Sequence, residues 1–334
     1  MTTAWEDLDA RARGLSSRLL SDQILGLLAE CVTLSGLVAL LIEEGYLPAA
    51  AHLDPTPGGL ETALRRVAGA RLRVLARWSG TRADVLAVVF EDEDRRSLRA
   101  LVRGAVQRAS AETRLAGLVP TPSLPERALE VLARLQTPGE VAATLAVWGN
   151  PYGGFVLGAV RGPQPDLLDV EMRLNRAFFE RARGAASRGD TALVAFVTCA
   201  VDLENAVSAL ALRGSVGDVS AEECFVPRGV RLGLRAFRRA VAAGGPEEAA
   251  HTLARAFAST VYAEVFEHWP AEPLDLEQRL LEARLRELGR EARRDPLGSA
   301  PLLKYVLGLR REQLELRRIV WGVALGAPPE VVRS

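Results

Sequence analysis

The chain aligns with itself. Written under VFEDEDRRSLRALVRG (89–104), the stretch AVDLENAVSALALRG (200–214) puts Asp202 below Asp92, Arg213 below Arg103 and Gly214 below Gly104. Every offset is 110 residues, and Ser220 follows Ser110 at the same distance. A third copy, LRREQLELRRIVWG (309–322), sets Gly322 108 residues after Gly214. Glu61, Glu171 and Glu277 open the preceding helices at offsets of 110 and 106. Tyr46, Tyr152 and Tyr262 close the helices before those, at 106 and 110. The chain has 4 tyrosines, so three in one column argue against chance. A period of this length predicts three bundles of several helices each. We place them at residues 1–111, 112–221 and 222–334.

Within each repeat the pattern is helical. LSDQILGLLAE, LPERALEVLARL and LEQRLLEARLRELGREA all set apolar residues at i, i+3, i+4 and i+7. No run alternates as a strand would, and no Asn-Gly hairpin occurs. Thr137-Pro138-Gly139-Glu140 is a capping box with proline at the first helical position. Asp275 with Gln278 has similar spacing, Ser299 precedes Pro301 by two, and Gly245-Pro246-Glu247-Glu248 reads as a helix start. The fold class expected is all-α.

The second copy raises a question of its own. It is an apolar helix that nevertheless carries Asp202, Asn205 and Arg213, which helical spacing sets on one side. A buried carboxylate needs a partner. Asp202 and Arg213 are about 16 Å apart along a straight helix, too far to pair with each other. Partners are therefore expected from neighbouring helices, with Glu171 as the candidate for Arg213. Recurrence at one period extends the set. Asp202, Asn205, Arg213, Glu171, Asp92, Arg103, Glu61 and Glu277 are the candidates for fixing helix register.

Composition excludes several function classes. Formal net charge is +0, so no electrostatic footprint for nucleic acid exists. Nearly all basic residues are arginine, Lys304 being the one lysine. Acids match them in number, which suggests solvated helix faces with i,i+4 pairs. Cys31, Cys199 and Cys224 are widely spaced; with no signal peptide recognised, they suggest buried thiols in a reducing cytoplasm. His52, His251 and His268 form no ligand motif. No segment is read as spanning a membrane: CVTLSGLVALLI ends at Glu43-Glu44, and GNPYGG interrupts the uncharged residues 141–160. No cofactor motif occurs, since Gly153-Gly154 and Gly244-Gly245 lack the strand and lysine of a phosphate loop. No Ser, Cys or His nucleophile has a supporting constellation. The acidic run Glu91-Asp92-Glu93-Asp94 could hold Mg²⁺ for diphosphate chemistry in an all-α enzyme. Arg95, Arg96 and Arg99 follow at once, and a solvated helical turn is the simpler reading.

With these features in hand, the sequence resembles the C-subunit family of the V/A-type rotary ATPases, related to the d component of the eukaryotic vacuolar enzyme. The opening Ala10-Arg11-Ala12-Arg13-Gly14, then Leu19-Leu20, is similar to the family's A-R-x-R-G and paired leucines. Glu171, Leu174 and Asn175, followed by Arg176-Ala177-Phe178-Phe179, resemble its E-x-x-L-D and aromatic pair, with Asn175 for the acid. Asp202-Leu203-Glu204-Asn205, running on to Arg213, resembles its D-x-x-N-L helix. Asp295-Pro296-Leu297, Tyr305, Glu312, Leu316-Arg317-Arg318-Ile319 and Leu325-Gly326-Ala327-Pro328-Pro329-Glu330 resemble its C-terminal part. The polar column is complete only in the second repeat: Arg95 and Gln313 stand where Asn205 does, and Arg310 stands for the acid.

The resemblance implies a funnel of three pseudo-threefold-related helical bundles, peripheral to the membrane on its cytoplasmic face. It implies seating on the proteolipid (c/L) ring and reception of the central-stalk subunits D and F. The implied task is mechanical coupling of ATP chemistry to ion translocation, with no catalytic residue and no cofactor. A helical-repeat adaptor outside the rotary ATPases is the alternative.

Overall fold

The computed structural model describes residues 5–49, 53–160, 165–214, 221–271 and 275–333. His52 and Ser220 lie outside the described residues. Every regular element among the described residues is helical. In chain order the helices are α1 (Glu6–Ser16), α2 (Asp22–Ala29), α3 (Leu34–Glu43), α4 (Pro57–Ser79), α5 (Ala83–Val106), α6 (Ala111–Leu115), α7 (Glu126–Arg134), α8 (Pro138–Val147) and α9 (Gly153–Ala159). They continue with α10 (Leu167–Ala186), α11 (Thr191–Leu212), α12 (Ala221–Cys224), α13 (Leu234–Val241), α14 (Pro246–Ala256), α15 (Ala263–His268), α16 (Leu276–Arg294), α17 (Ala300–Leu325) and α18 (Pro329–Arg333). Short helices followed by two long ones recur along the chain, the long pairs being α4–α5, α10–α11 and α16–α17.

Local chemistry explains most helix starts. The side chains of Ser21, Thr33, Thr56, Ser110 and Asp190 each accept from a backbone N–H in the first turn. Thr137 and Glu140 form both halves of the capping box, with Pro138 at the start of α8. α14 begins at Pro246 as its sequence suggests. Asp275 differs: it stands at the N-cap of α16 but its side chain makes no capping bond. Ser299 also differs, giving its hydroxyl and its amide to Asp190, at 2.6 Å each.

The chain forms two compact units. One comprises residues 11–174 with 308–334, and the other 1–10 with 175–307. The divisions fall inside α1, α10 and α17.

In the first unit the last helix completes the first bundle. Leu316, Ile319, Val320 and Val323 of α17 and Val332 of α18 share one buried cluster with Leu28, Leu37, Leu41, Tyr46, Leu60 and Leu64. Burial of each such side chain favours folding by roughly 1.5–3 kcal/mol. α5 crosses the rest of this unit, packed against α6, α7 and α8. Gly104 of α5 lies under Arg114 of α6, where a Cβ would come within 2.6 Å of Arg114 Cγ.

In the second unit α11 packs on α13 and α14, and α14 on α15. Phe257 stacks at 5.0 Å from Phe266 and 5.9 Å from Tyr262, ring centre to ring centre. Among the described residues α11 is the one helix long and apolar enough to cross a membrane. The sequence reading assigned no such segment. Here the helix is a core element, for Asp202 and Asn205 are buried within it and bonded to protein groups. The three cysteines are free; Cys224 is buried as expected, while Cys31 and Cys199 are half-buried.

Candidate functional site: the polar contacts of the long helices

Asp202 and Asn205 hold a loop rather than a neighbouring helix. One Asp202 oxygen accepts the backbone N–H groups of Val230 and Arg231, and the other that of Leu232, all at 3.0 Å. Asn205 pairs with Val226 in both directions, accepting its N–H at 2.9 Å and donating to its carbonyl at 2.8 Å. The segment between α12 and α13 has no helix or sheet to satisfy its backbone, so these side chains supply what secondary structure would. Gly229 is required here: a Cβ on it would strike the Asp202 carboxylate.

Arg213 departs from the expected column. It is the residue that ends α11, with extended backbone (φ −56°, ψ 127°), and Gly214 follows at φ +70°. Helical spacing therefore stops applying before it. Glu171 does not serve it either. That carboxylate takes Arg99 Nη2 at 2.9 Å and also pairs with Arg103. The same arrangement recurs at Glu61, which accepts from Arg317 Nε at 2.9 Å and Trp321 Nε1 at 2.7 Å. Arg99 and Arg317, like Arg103 and Trp321, are 218 residues apart, the sum of the two repeat offsets. The expected pairing is thus one repeat out of step. The acid heading a first long helix meets the second long helix of a different repeat, α5 for Glu171 and α17 for Glu61. Glu277 stands exposed in the first turn of α16, where a negative charge suits the helix dipole.

Asp92 aligns with Asp202 but turns back onto its own helix, to Arg95 at 2.9 Å and Arg96 at 3.3 Å. The whole acidic run is engaged. Glu91 accepts from the Tyr152 hydroxyl, Glu93 pairs with Arg310 at 3.0 Å, and Asp94 accepts from Thr121 and Ser123. Glu91, Asp92 and Asp94 are buried, so the run is not a solvated turn. Its carboxylates diverge to separate partners. Among the described residues no three His, Cys, Asp or Glu side chains are grouped to hold a metal ion.

The three repeat tyrosines each end on a polar side chain of a long helix. Tyr46 donates to Glu312 at 2.9 Å, Tyr152 to Glu91, and Tyr262 to Glu287 at 2.6 Å beside the Cys199 thiol. Burial pushes the Tyr46 and Tyr262 hydroxyls far above the ordinary phenol range, so both remain donors. Burial likewise raises the Cys199 thiol to about 11.

One column went unread. Asp94, Glu204 and Glu312 share the 110 and 108 offsets, and each makes a contact outside its own helix. Asp94 holds the loop after α6, Glu204 accepts from Asn175 at 2.8 Å, and Glu312 joins Tyr46, Arg71 and the Leu20 amide. The signal was present, since the acid lies two residues past Asp92 and Asp202 in the same alignment. Burial raises the Asp94 carboxyl to about 7 despite the hydroxyls of Ser123 and Thr121, and Glu91 and Glu93 add to the rise. Burial also raises Glu312, against the opposing pull of Arg71.

The family described as ATP synthase (C/AC39) subunit matches residues 8–334. Three relatives, each the C subunit of an A-type ATP synthase, are similar over most of their length. That of Thermococcus kodakarensis is 26% identical over 98% of this chain and 88% of its own. That of Methanocaldococcus jannaschii is 24% identical over 98% and 84%. That of Haloferax volcanii is 24% identical over 82% and 80%.

Proposed function

Because the chain belongs to the ATP synthase (C/AC39) subunit family, we propose that it is the central-rotor socket of a V/A-type ATPase. In this reading its three repeats form a funnel, seated on the proteolipid ring, that receives stalk subunits D and F. It turns as part of the rotor and passes torque between ring and stalk, so that ATP hydrolysis or synthesis elsewhere is coupled to ion translocation elsewhere. The chain itself catalyses nothing and takes no cofactor. It is peripheral to the membrane on the cytoplasmic side.

The observation that carries this reading is the family match over residues 8–334, joined by relatives of similar length throughout. The polar contacts support it. A torque-bearing body must resist sliding of one helix past another, and packed apolar faces alone allow such slippage. Carboxylates at Glu61, Glu171, Asp202 and Glu312 each fix a long helix to a second segment by directional bonds. These residues, with Asn205, Asp92, Arg103, Arg213 and Glu277, are proposed to set helix register.

The test is assembly. The purified chain is mixed with detergent-solubilised proteolipid ring and with the D–F stalk of the same organism, then resolved by size exclusion with mass analysis of each component. Co-elution of all three is the expected result. A chain that elutes alone beside both would overturn the socket reading in favour of an adaptor role.

A further inference from the structure

Each of the three tyrosine contacts joins two segments, but the chain between those segments differs greatly in length. Tyr152 and Glu91 are 61 residues apart, and Tyr262 and Cys199 are 63 apart. Tyr46 and Glu312 are 266 apart. The entropy lost in closing a loop grows with the logarithm of its length, with a coefficient of 3/2. For the same contact chemistry, the long closure is disfavoured roughly tenfold relative to the other two.

The long closure carries extra bonds. Glu312 is 3% exposed and accepts from three directions: Leu20 N at 2.8 Å, Tyr46 Oη at 2.9 Å and Arg71 Nη1 at 2.7 Å. Gln313 donates to the same Tyr46 oxygen at 2.8 Å. Arg71 lies over the Tyr46 ring at 4.7 Å and reaches the Arg18 carbonyl at 3.0 Å. One carboxylate thus ties α17 to the approach to α2, to the end of α3 and to α4. The boundary between compact units also falls here, between Leu307 and Gly308 inside α17. Glycine is the weakest ordinary residue in a helix interior, and Gly308 packs so closely on Leu19 that a Cβ would meet its methyl at 3.0 Å.

We propose that residues 308–334 and the first bundle meet at a separable seam latched by Glu312. The seam opens as a unit, with α17 giving way near Gly308, while residues 175–307 stay folded. Such a device is absent at Tyr152 and Tyr262, whose partners lie close along the chain.

Native-state hydrogen exchange with peptide-level mass analysis tests this, comparing the intact chain with Glu312→Gln and with Arg71→Met. The expected result is exchange at least tenfold faster in peptides covering 20–47 and 308–325 together, in both variants. Peptides covering 191–212 and 246–266 keep their protection. Faster exchange everywhere, or in neither seam segment, overturns the proposal. So does a rise in 308–325 without one in 20–47, because the two sides must open together. A Glu312→Gln chain that is unfolded throughout overturns it as well, since the contact would then belong to the global core.

Discussion

α5 and α11 are the same helix twice by alignment, and they use their aligned acids in opposite ways. On α11, Asp202 reaches outward to three backbone amides and Asn205 closes a two-way bond with Val226. On α5, Asp92 turns back to Arg95 and Arg96 of its own helix. The substitution at the neighbouring column explains this. Where α11 has an amide suited to a strand-like backbone, α5 has Arg95, which is 2% exposed and must be neutralised where it lies. The task of holding the following loop passes two residues along, to Asp94 with Thr121 and Ser123. An aligned residue type can persist while its job moves to a neighbour.

The comparison can be broken first at Asp202. Asp202→Ala leaves three buried or half-buried amides without an acceptor, and the loss in stability is expected to be on the order of 4 kcal/mol. Chemical denaturation monitored by circular dichroism measures it. Unchanged stability with lost assembly would make the column an interface instead.

Asp92→Leu is expected to cost about 3 kcal/mol, because Arg95 keeps a buried charge. Adding Arg95→Met should recover most of that loss. No side-chain deletion can rescue Asp202→Ala, because its donors are backbone. A double-mutant cycle showing no recovery would refute the contrast between the two helices.

The third test is pH. The Asp94 carboxyl is raised in the folded chain to about 7 from an ordinary value of 3.8, so the folded state holds the proton more tightly than the unfolded state. Its stabilising effect is complete below about 4 and is lost as pH rises through 7. Asp94→Asn should remove a loss on the order of 2–4 kcal/mol between pH 4 and 8. Urea midpoints of both chains at several pH values read this out; parallel curves would contradict it.

Smallest is Arg103→Ala. Arg103 is half-exposed and shares Glu171 with Arg99, so screening leaves an expected change below about 1 kcal/mol. A larger change in thermal midpoint would mean that Glu171 depends on Arg103 more than on the better-buried Arg99.

Much of the fold was legible along the chain. Helical periodicity, capping boxes and proline starts are local, so α2, α7, α8, α14 and α16 follow from their own residues. The tyrosine and glutamate columns marked positions that do make contacts, since a repeated fold imposes repeated constraints. Partners were less legible. Glu171 was assigned to Arg213 because sequence order suggests that consecutive helices pair, whereas it bonds Arg99 and Arg103 of α5. Asp202 was expected to face a helix because loops show no periodicity, and its partners at 230–232 are backbone groups that no side-chain pattern reveals.

What the sequence determined alone is therefore the all-helical class, the period and the positions under constraint, each of which is written in residue type at fixed spacing. What only the tertiary structure decided is which segment meets each of those positions. A carboxylate's requirement is merely a donor, and an arginine, a tyrosine, a hydroxyl or a bare amide meets it equally well. The choice among them depends on which chain segment arrives within about 3 Å, and that follows from how the helices pack.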